Sequence, residues 1–258
     1  MAGTGIGPQL DFVRACCTEP VRAALGSEDI YGWACDANGA SGFGAPEAEF
    51  LYAYVRVKRP ARVVQVGAGV ATAVILRAAR DAGYDVNLTA VEPFPSGYLK
   101  ASASRGDIRL VEAEAQDVPL DQFTSLRSGD LLFVDSTHTV RPDSEVNLLV
   151  LEVLPRLSPG VRAHFHDVYL PYDYQRDLLS SALFFWNEST LLHAFLIGNR
   201  SWEIRACLSM LHYACPGELA GLLPHYRPAR DDDGLLVVGD PEPSHFPASV
   251  YLEAVGER

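Results

Sequence analysis

The chain has 258 residues, 48% of them hydrophobic, and sets 21 Lys and Arg against 33 Asp and Glu for a formal net charge of −12. That length can bury a substantial core in one α/β domain, and an acidic balance without a Lys/Arg cluster excludes the positive surface that a nucleic-acid or anionic-membrane partner needs. Met1 to Pro8 lacks the basic-then-apolar layout of a signal peptide and no apolar run reaches spanning length, so the expectation is a soluble, cytoplasmic protein. Cys16, Cys17, Cys35, Cys207 and Cys215 cannot all pair internally and show no Cys-x-x-Cys spacing, which reads as reduced thiols in core or half-buried positions.

Leu10 to Leu25 carries apolar residues at helical spacing around Pro20 and predicts one or two short amphipathic segments. Gly26 to Pro46, with five glycines among Tyr31, Trp33 and Phe43, reads as a loop that either folds over a ligand or is pinned to the surface by its aromatics. Ala45 to Val57 predicts a helix with Glu47 and Glu49 where the dipole favours negative charge. Residues 61–92 then read as strand (Arg62 to Val66), glycine turn, helix (Ala71 to Ala82) and second strand closed by Glu92. Further on, helices are expected near Pro95 to Ser104, Pro119 to Leu126, Asp143 to Leu157 and Trp186 to Ile197. Strands are expected at Ile108 to Glu112, Leu131 to Asp135, Val161 to His166, Trp202 to Cys207 and Ser249 to Ala254. The alternation predicts a doubly wound, mainly parallel, seven-stranded Rossmann-like sheet.

A single domain is expected, with N-terminal helices and the aromatic loop in 1–60, a cofactor-binding core in 61–207, an insertion in 208–248 and the final strand in 249–258. The insertion, with Pro216, Pro224, Pro228 and the acidic triplet Asp231 to Asp233, is too long for an ordinary loop. It reads as a lid or a contact between copies in a homo-oligomer.

Gly67 and Gly69, at the end of a buried strand, let the backbone turn sharply and approach a ligand at a helix N-terminus. Glu92, 25 positions after Gly67, stands where a carboxylate accepts hydrogen bonds from ribose hydroxyls. Thr72 replaces the third glycine of the dinucleotide fingerprint, which favours a nucleoside without a pyrophosphate, such as S-adenosylmethionine, over NAD.

With VGAG at Val66 to Gly69, Glu92, and LLFVDSTH at Leu131 to His138 in this order, the chain resembles class I S-adenosylmethionine-dependent methyltransferases over nearly its whole length. DSTHTVRPDSEVN (Asp135 to Asn147), LPRLSPGVRAHFHDVYLPYDY (Leu154 to Tyr174) and WNESTLLHAFLIGN (Trp186 to Asn199) look like a bacterial small-molecule subgroup, many of whose members modify natural products or sugars. The resemblance implies cofactor contacts from Gln65, Gly67, Gly69, Thr72, Glu92, Gln116, Asp117 and Asp135. Gln116 or Asp117 would lie near the adenine. Gln65 stands where the family has an acidic residue, which weakens the contact to the methionine amino group.

In a doubly wound sheet the strand ends gather at the ligand, so Asp135, His138, His166 and Asp167 form a candidate cluster, with His164 a further candidate. Two roles stay open. Asp135 with His138 or His166 can remove the proton of an attacking hydroxyl or amine. Alternatively Asp135, His166 and Asp167 can hold a divalent metal: Mg²⁺ at the positions used by catechol-type relatives, or Mn²⁺, Fe²⁺ or Zn²⁺ if a histidine ligates. Tyr169, Tyr172 and Tyr174 are candidates for the acceptor pocket, and His193, His212, His225 and His245 read as structural. The leading expectation is O-methylation of a small-molecule hydroxyl, by general base, by metal, or by both. The alternatives are a metal-dependent oxygenase on the same fold, a non-catalytic scaffold in a biosynthetic complex, and a nicotinamide-dependent oxidoreductase, which Thr72 disfavours.

Overall fold

The structure, a computed structural model, describes residues 1–174, 178–181, 185–228 and 246–256. Four helices come first: α1 (Ile6–Cys16), α2 (Glu19–Ser27), α3 (Ile30–Asn38) and α4 (Ala45–Lys58). Then follow β1 (Arg62–Val66), α5 (Val70–Asp81), β2 (Asn87–Val91), α6 (Gly97–Arg105), β3 (Arg109–Val111), α7 (Asp121–Thr124) and β4 (Leu131–Val134). The remainder is α8 (Glu145–Asn147), β5 (Arg162–His166), α9 (Leu178–Ser181), α10 (Glu188–Leu196), β6 (Trp202–Cys207), α11 (Leu208–Ala214), α12 (Pro216–Ala220) and β7 (Ser249–Ala254).

The seven strands lie in the order β3-β2-β1-β4-β5-β7-β6. All the inner pairs are parallel except those made by β7, which runs antiparallel to both β5 and β6. This is a doubly wound, mainly parallel, Rossmann-like sheet. The period-two alternation of strand side chains explains its two-sided core. In β4, Leu131 and Phe133 join one apolar cluster with α1 to α5 and α11, whereas Leu132 and Val134 join a second with β5 and the segment after α8. All four are fully buried, each contributing about 1.5–3 kcal/mol of transfer free energy.

Two local expectations change. Gly26 to Pro46 is not wholly loop: Asp29 caps α3 by accepting from the Gly32 amide at 2.8 Å, and Gly39 ends it at φ 79°, so the glycines at both ends serve a helix. The run expected from Asp143 to Leu157 is helical but irregular, α8 widening into a π-helix over Leu148–Val153 and closing as a 3-10 turn over Leu154–Arg156. The first part of 208–248 is α11 and α12, with Leu211, Leu219, Leu223 and Tyr226 in the core. Asp231 to Asp233 and His245 lie outside the described residues. Among the described residues no helix is long and apolar enough to cross a membrane. All five cysteines are free, four of them buried.

Candidate functional site

Strand order reverses between β1 and β4, neighbours whose following connections leave in opposite directions. The crevice so created at the strand C-termini is where ligands lie in this fold class. Gly67 follows β1 with φ 75°, and a Cβ there would sit 1.6 Å from the Asp135 carbonyl oxygen, so only glycine permits this approach. Ala68 N–H donates to Glu92 Oε2 at 3.1 Å and Phe94 N–H to Oε1 at 2.9 Å, which aims the carboxylate of Glu92 across the crevice.

Two cavities meet at Gly67, Glu92 and Asp135. One, of about 430 Å³, is lined by Phe94, Ala115, Gln116, Thr137 and Arg141. The other, of about 180 Å³, lies against Asn38, Phe43, Gly69 and Val70. Asp117 is among the lining residues of neither. Gln65 and Thr72 are fully buried beneath the turn: Thr72 Oγ1 donates to Gln65 Oε1 at 2.9 Å and accepts from the Gly69 amide at 3.2 Å, while Gln65 Nε2 donates to the Gly67 carbonyl at 3.0 Å. The two brace the glycine turn from below.

Beside the cavities the expected polar residues converge. His166 Nδ1 lies 3.1 Å from Asp135 Oδ1 and 3.7 Å from Asp167 Oδ2, and His138 Nε2 lies 3.5 Å and 3.3 Å from the same two oxygens. Consecutive residues at a strand end normally point to opposite faces. Here the left-handed backbone of Asp167, φ 54°, turns both His166 and Asp167 to one side, and His138 is left-handed too, at φ 56°. Strain of about 1–3 kcal/mol at each such residue persists only where surrounding contacts hold it.

Those contacts come largely from α10, whose apolar spacing alone predicts only an ordinary amphipathic helix. His138 Nδ1 donates to Glu188 Oε2 at 2.8 Å, and the amides of Asn187 and Glu188 donate to the His138 carbonyl. Ser189 Oγ donates to the Asp167 carbonyl at 3.2 Å, and Ser189 N–H to Tyr174 Oη at 3.0 Å. The start of α10 thus clamps the backbones of both 138 and 167. Glu188 is fully buried and was missed because its partner stands 50 positions away; the acidic residue inside WNES was the available signal. Phe43, from the aromatic loop, covers the cluster with its ring 4.7 Å from that of His166.

His164 stays out of the cluster. It stacks on Phe133 at 4.2 Å and shares a hydrogen bond with Ser249, and burial, helped by the charge of His166, pushes its pKa well down. His166 shows the opposite balance: burial opposes its charge, but Asp167 and Asp135 outweigh it and raise the pKa to about 9. For His138, burial is likewise outweighed, here by Asp135 and Glu188, and the pKa rises. Asp135, despite burial, is held far below the usual carboxylate range by the two imidazoles. Glu47 has its pKa raised by burial, against the pull of His166, and its Oε1 accepts from the Ala248 amide. Asp135, His138 and His166 each offer a donor atom within 4.8 Å of the others, so these three could hold a metal ion.

Tyr169 Oη donates to Asp167 Oδ1 at 3.3 Å, and its ring stacks on Phe246. Tyr172 packs on Tyr213 away from the cluster. His212 meets Tyr226, and His225 donates to Glu49 at 2.6 Å, so these two histidines join segments of the fold.

Residues 64–168 match the model of a family described as a methyltransferase domain. Among functionally curated proteins none matches the sequence. Similar solved structures include a provisionally assigned O-methyltransferase from Klebsiella pneumoniae, at 13% identity over 92% of this chain and 94% of that one, with a TM-score of 0.53. Another is the S-adenosylhomocysteine-bound methyltransferase PaMTH1 of Podospora anserina, at 16% identity over 72% and 88%, TM-score 0.46.

Proposed function

We propose that this chain, a class I S-adenosylmethionine-dependent methyltransferase by its domain match and sheet, methylates a hydroxyl of a small molecule. One observation carries the reading: Asp135 lines both cavities and is also a member of the His/Asp cluster, so the nucleoside space and the polar cluster share a wall. The ribose hydroxyls bind Glu92, the adenine lies in the larger cavity with Phe94 and Gln116, and the methionine end enters the smaller one above Gly67 and Gly69.

In the transfer, the acceptor oxygen attacks the sulfonium methyl in line, the C–S bond breaks, and S-adenosylhomocysteine leaves with the electron pair. The acceptor proton passes to solvent, or to His138 or His166 once that imidazole has lost the proton its carboxylate partners favour. The chain's contribution is to align oxygen and methyl in a pocket that Phe43 shields from water, and to favour deprotonation of the hydroxyl. The same cluster fits a divalent ion, since its donors are buried, convergent and mixed oxygen and nitrogen; such an ion would supply Lewis-acid stabilisation of the alkoxide. Membership of a natural-product or sugar pathway, and a cytoplasmic location, belong to this reading.

Titration calorimetry with S-adenosylmethionine and S-adenosylhomocysteine tests it. Wild type is expected to bind both in the micromolar range, and Glu92→Gln, which replaces a charge-assisted acceptor by a weaker one, to bind at least about tenfold more weakly. Incubation with methyl-labelled cofactor and a panel of phenols, sugars and amines then identifies the acceptor. Absence of nucleoside binding by the wild type would overturn the reading, and a product heavier by oxygen instead of CH₂ would move it to the oxygenase.

A further inference from the structure

The structure assigns the cluster to a first-row transition ion held by two histidines and two aspartates, with Glu188 as the carboxylate behind one of the imidazoles. This inference deepens the reading above and rests on it only for the location of the acceptor. The four facing atoms are Asp135 Oδ1, Asp167 Oδ2, His138 Nε2 and His166 Nδ1, and the four His–Asp distances among them run from 3.1 to 3.7 Å. Donors about 2.0–2.2 Å from one ion lie roughly 2.9–3.6 Å apart in tetrahedral or octahedral shells, close to these four separations; Asp135, His138 and His166 all lie within 4.8 Å of one another, and Asp167 Oδ2 completes the set from 3.3 and 3.7 Å off the two imidazoles.

Three further features favour a ligand role over a satisfied hydrogen-bond network. His138 directs Nε2 at the cluster while Nδ1 is engaged by Glu188, the carboxylate–imidazole arrangement that fixes the tautomer of metal-binding histidines. Glu188 is fully buried, its Oε1 has no hydrogen-bond partner, and its other carboxylate oxygen bonds the His138 imidazole. Both His138 and Asp167 reach the centre only through left-handed backbone. A strained residue aimed at a common point from each of two loops marks a built site.

Two imidazole nitrogens decide the ion. Mg²⁺ takes oxygen donors and keeps several waters, whereas Mn²⁺, Fe²⁺, Co²⁺ and Zn²⁺ accept mixed nitrogen and oxygen sets, with affinity rising along the Irving–Williams order. In this respect the site departs from the Mg²⁺ expectation raised by catechol-type relatives. His138, absent from the ligand set expected from sequence, becomes its fourth member.

Co²⁺ titration of chelator-treated full-length protein, followed by visible absorption, tests the assignment. One equivalent is expected to give a saturable band well above that of aqueous Co²⁺, unaffected by about a hundredfold excess of Mg²⁺. Glu188→Gln should weaken Co²⁺ binding about 10- to 100-fold, and His138→Ala more, while calorimetric affinity for S-adenosylhomocysteine without metal stays near wild type. Circular dichroism melting reports whether each variant folds. If His138→Ala does not, the wild-type spectrum and the near-isosteric Glu188→Gln carry the test. No saturable band, displacement by equimolar Mg²⁺, or wild-type affinity in a folded Glu188→Gln would overturn the assignment. Nucleoside binding without Co²⁺ binding sinks the metal centre alone; Co²⁺ binding without nucleoside binding sinks the methyltransferase reading alone.

Discussion

Gly67 shows how a single side chain decides the site. The Asp135 carbonyl occupies the space a Cβ would need, and φ 75° adds a backbone penalty for any other residue. Gly67→Ala is expected to lose about 1–2 kcal/mol from the backbone alone, a fall in Tm of roughly 2–8 °C, and with the displaced Asp135 at least tenfold in S-adenosylhomocysteine affinity; melting and calorimetry check both. Gln65 explains a departure from the family pattern. Its amide satisfies Thr72 and the Gly67 carbonyl simultaneously, a pairing of acceptor and donor that a carboxylate could not make. Both partners lie within seven positions, yet the direction of the side chain, down into the turn, depends on packing from β2 and α5.

At the scale of elements, the N-terminal segment is tied to the sheet edge. Ala2 forms a bridge to Glu203 of β6. Gln9 in α1 is nearly fully buried, its Nε2 donating to the Gly3 carbonyl at 2.9 Å and its Oε1 accepting from the Cys207 amide at 2.8 Å. Gln9→Ala strands a buried amide and is expected to cost about 1–3 kcal/mol, measured as a lower urea midpoint at unchanged slope.

The strands were the most legible elements. Arg62–Val66, Trp202–Cys207 and Ser249–Ala254 have the bounds read from their patterns: central strands are mostly apolar because both faces are buried, whereas edge strand β6 alternates buried with half-buried residues. Helix α3 was obscured by the glycines that flank and interrupt it. The π segment over Leu148–Val153 was equally hidden, since its apolar spacing is that of an ordinary helix. Position alone predicts Glu47 and Glu49 as helix-dipole partners, but their carboxylates are buried and reach Ala248 and His225, about 200 and 176 positions on; local charge pattern carries no information about such distant partners.

For the whole molecule, burial makes most of the thiols inert. Cys16 and Cys17 have their pKa values raised by desolvation, Cys16 to about 11, and Cys207 is fully buried. Because the thiolate is the reactive form, titration of the native protein with a thiol reagent should modify Cys35 first, at most two of the five cysteines within minutes, and all five in denaturant. Reductant should leave Tm unchanged.

By itself the sequence determined the alternation of strands and helices, the glycine turn with Glu92, and the presence of Asp135, His166 and Asp167 at neighbouring strand ends, because each is written in a short run whose spacing obeys backbone geometry. Tertiary structure alone decided that His166 and Asp167 turn to the same side while His164 stays in the core, that α10 brings Glu188 and Ser189 behind His138 and Asp167, and that Phe43 covers them. The physical reason is that these outcomes rest on contacts across 20 to 120 positions, roughly the separations from Asp167 to Ser189 and from Phe43 to His166. Packing selects there among local conformations that the sequence leaves nearly equal in energy.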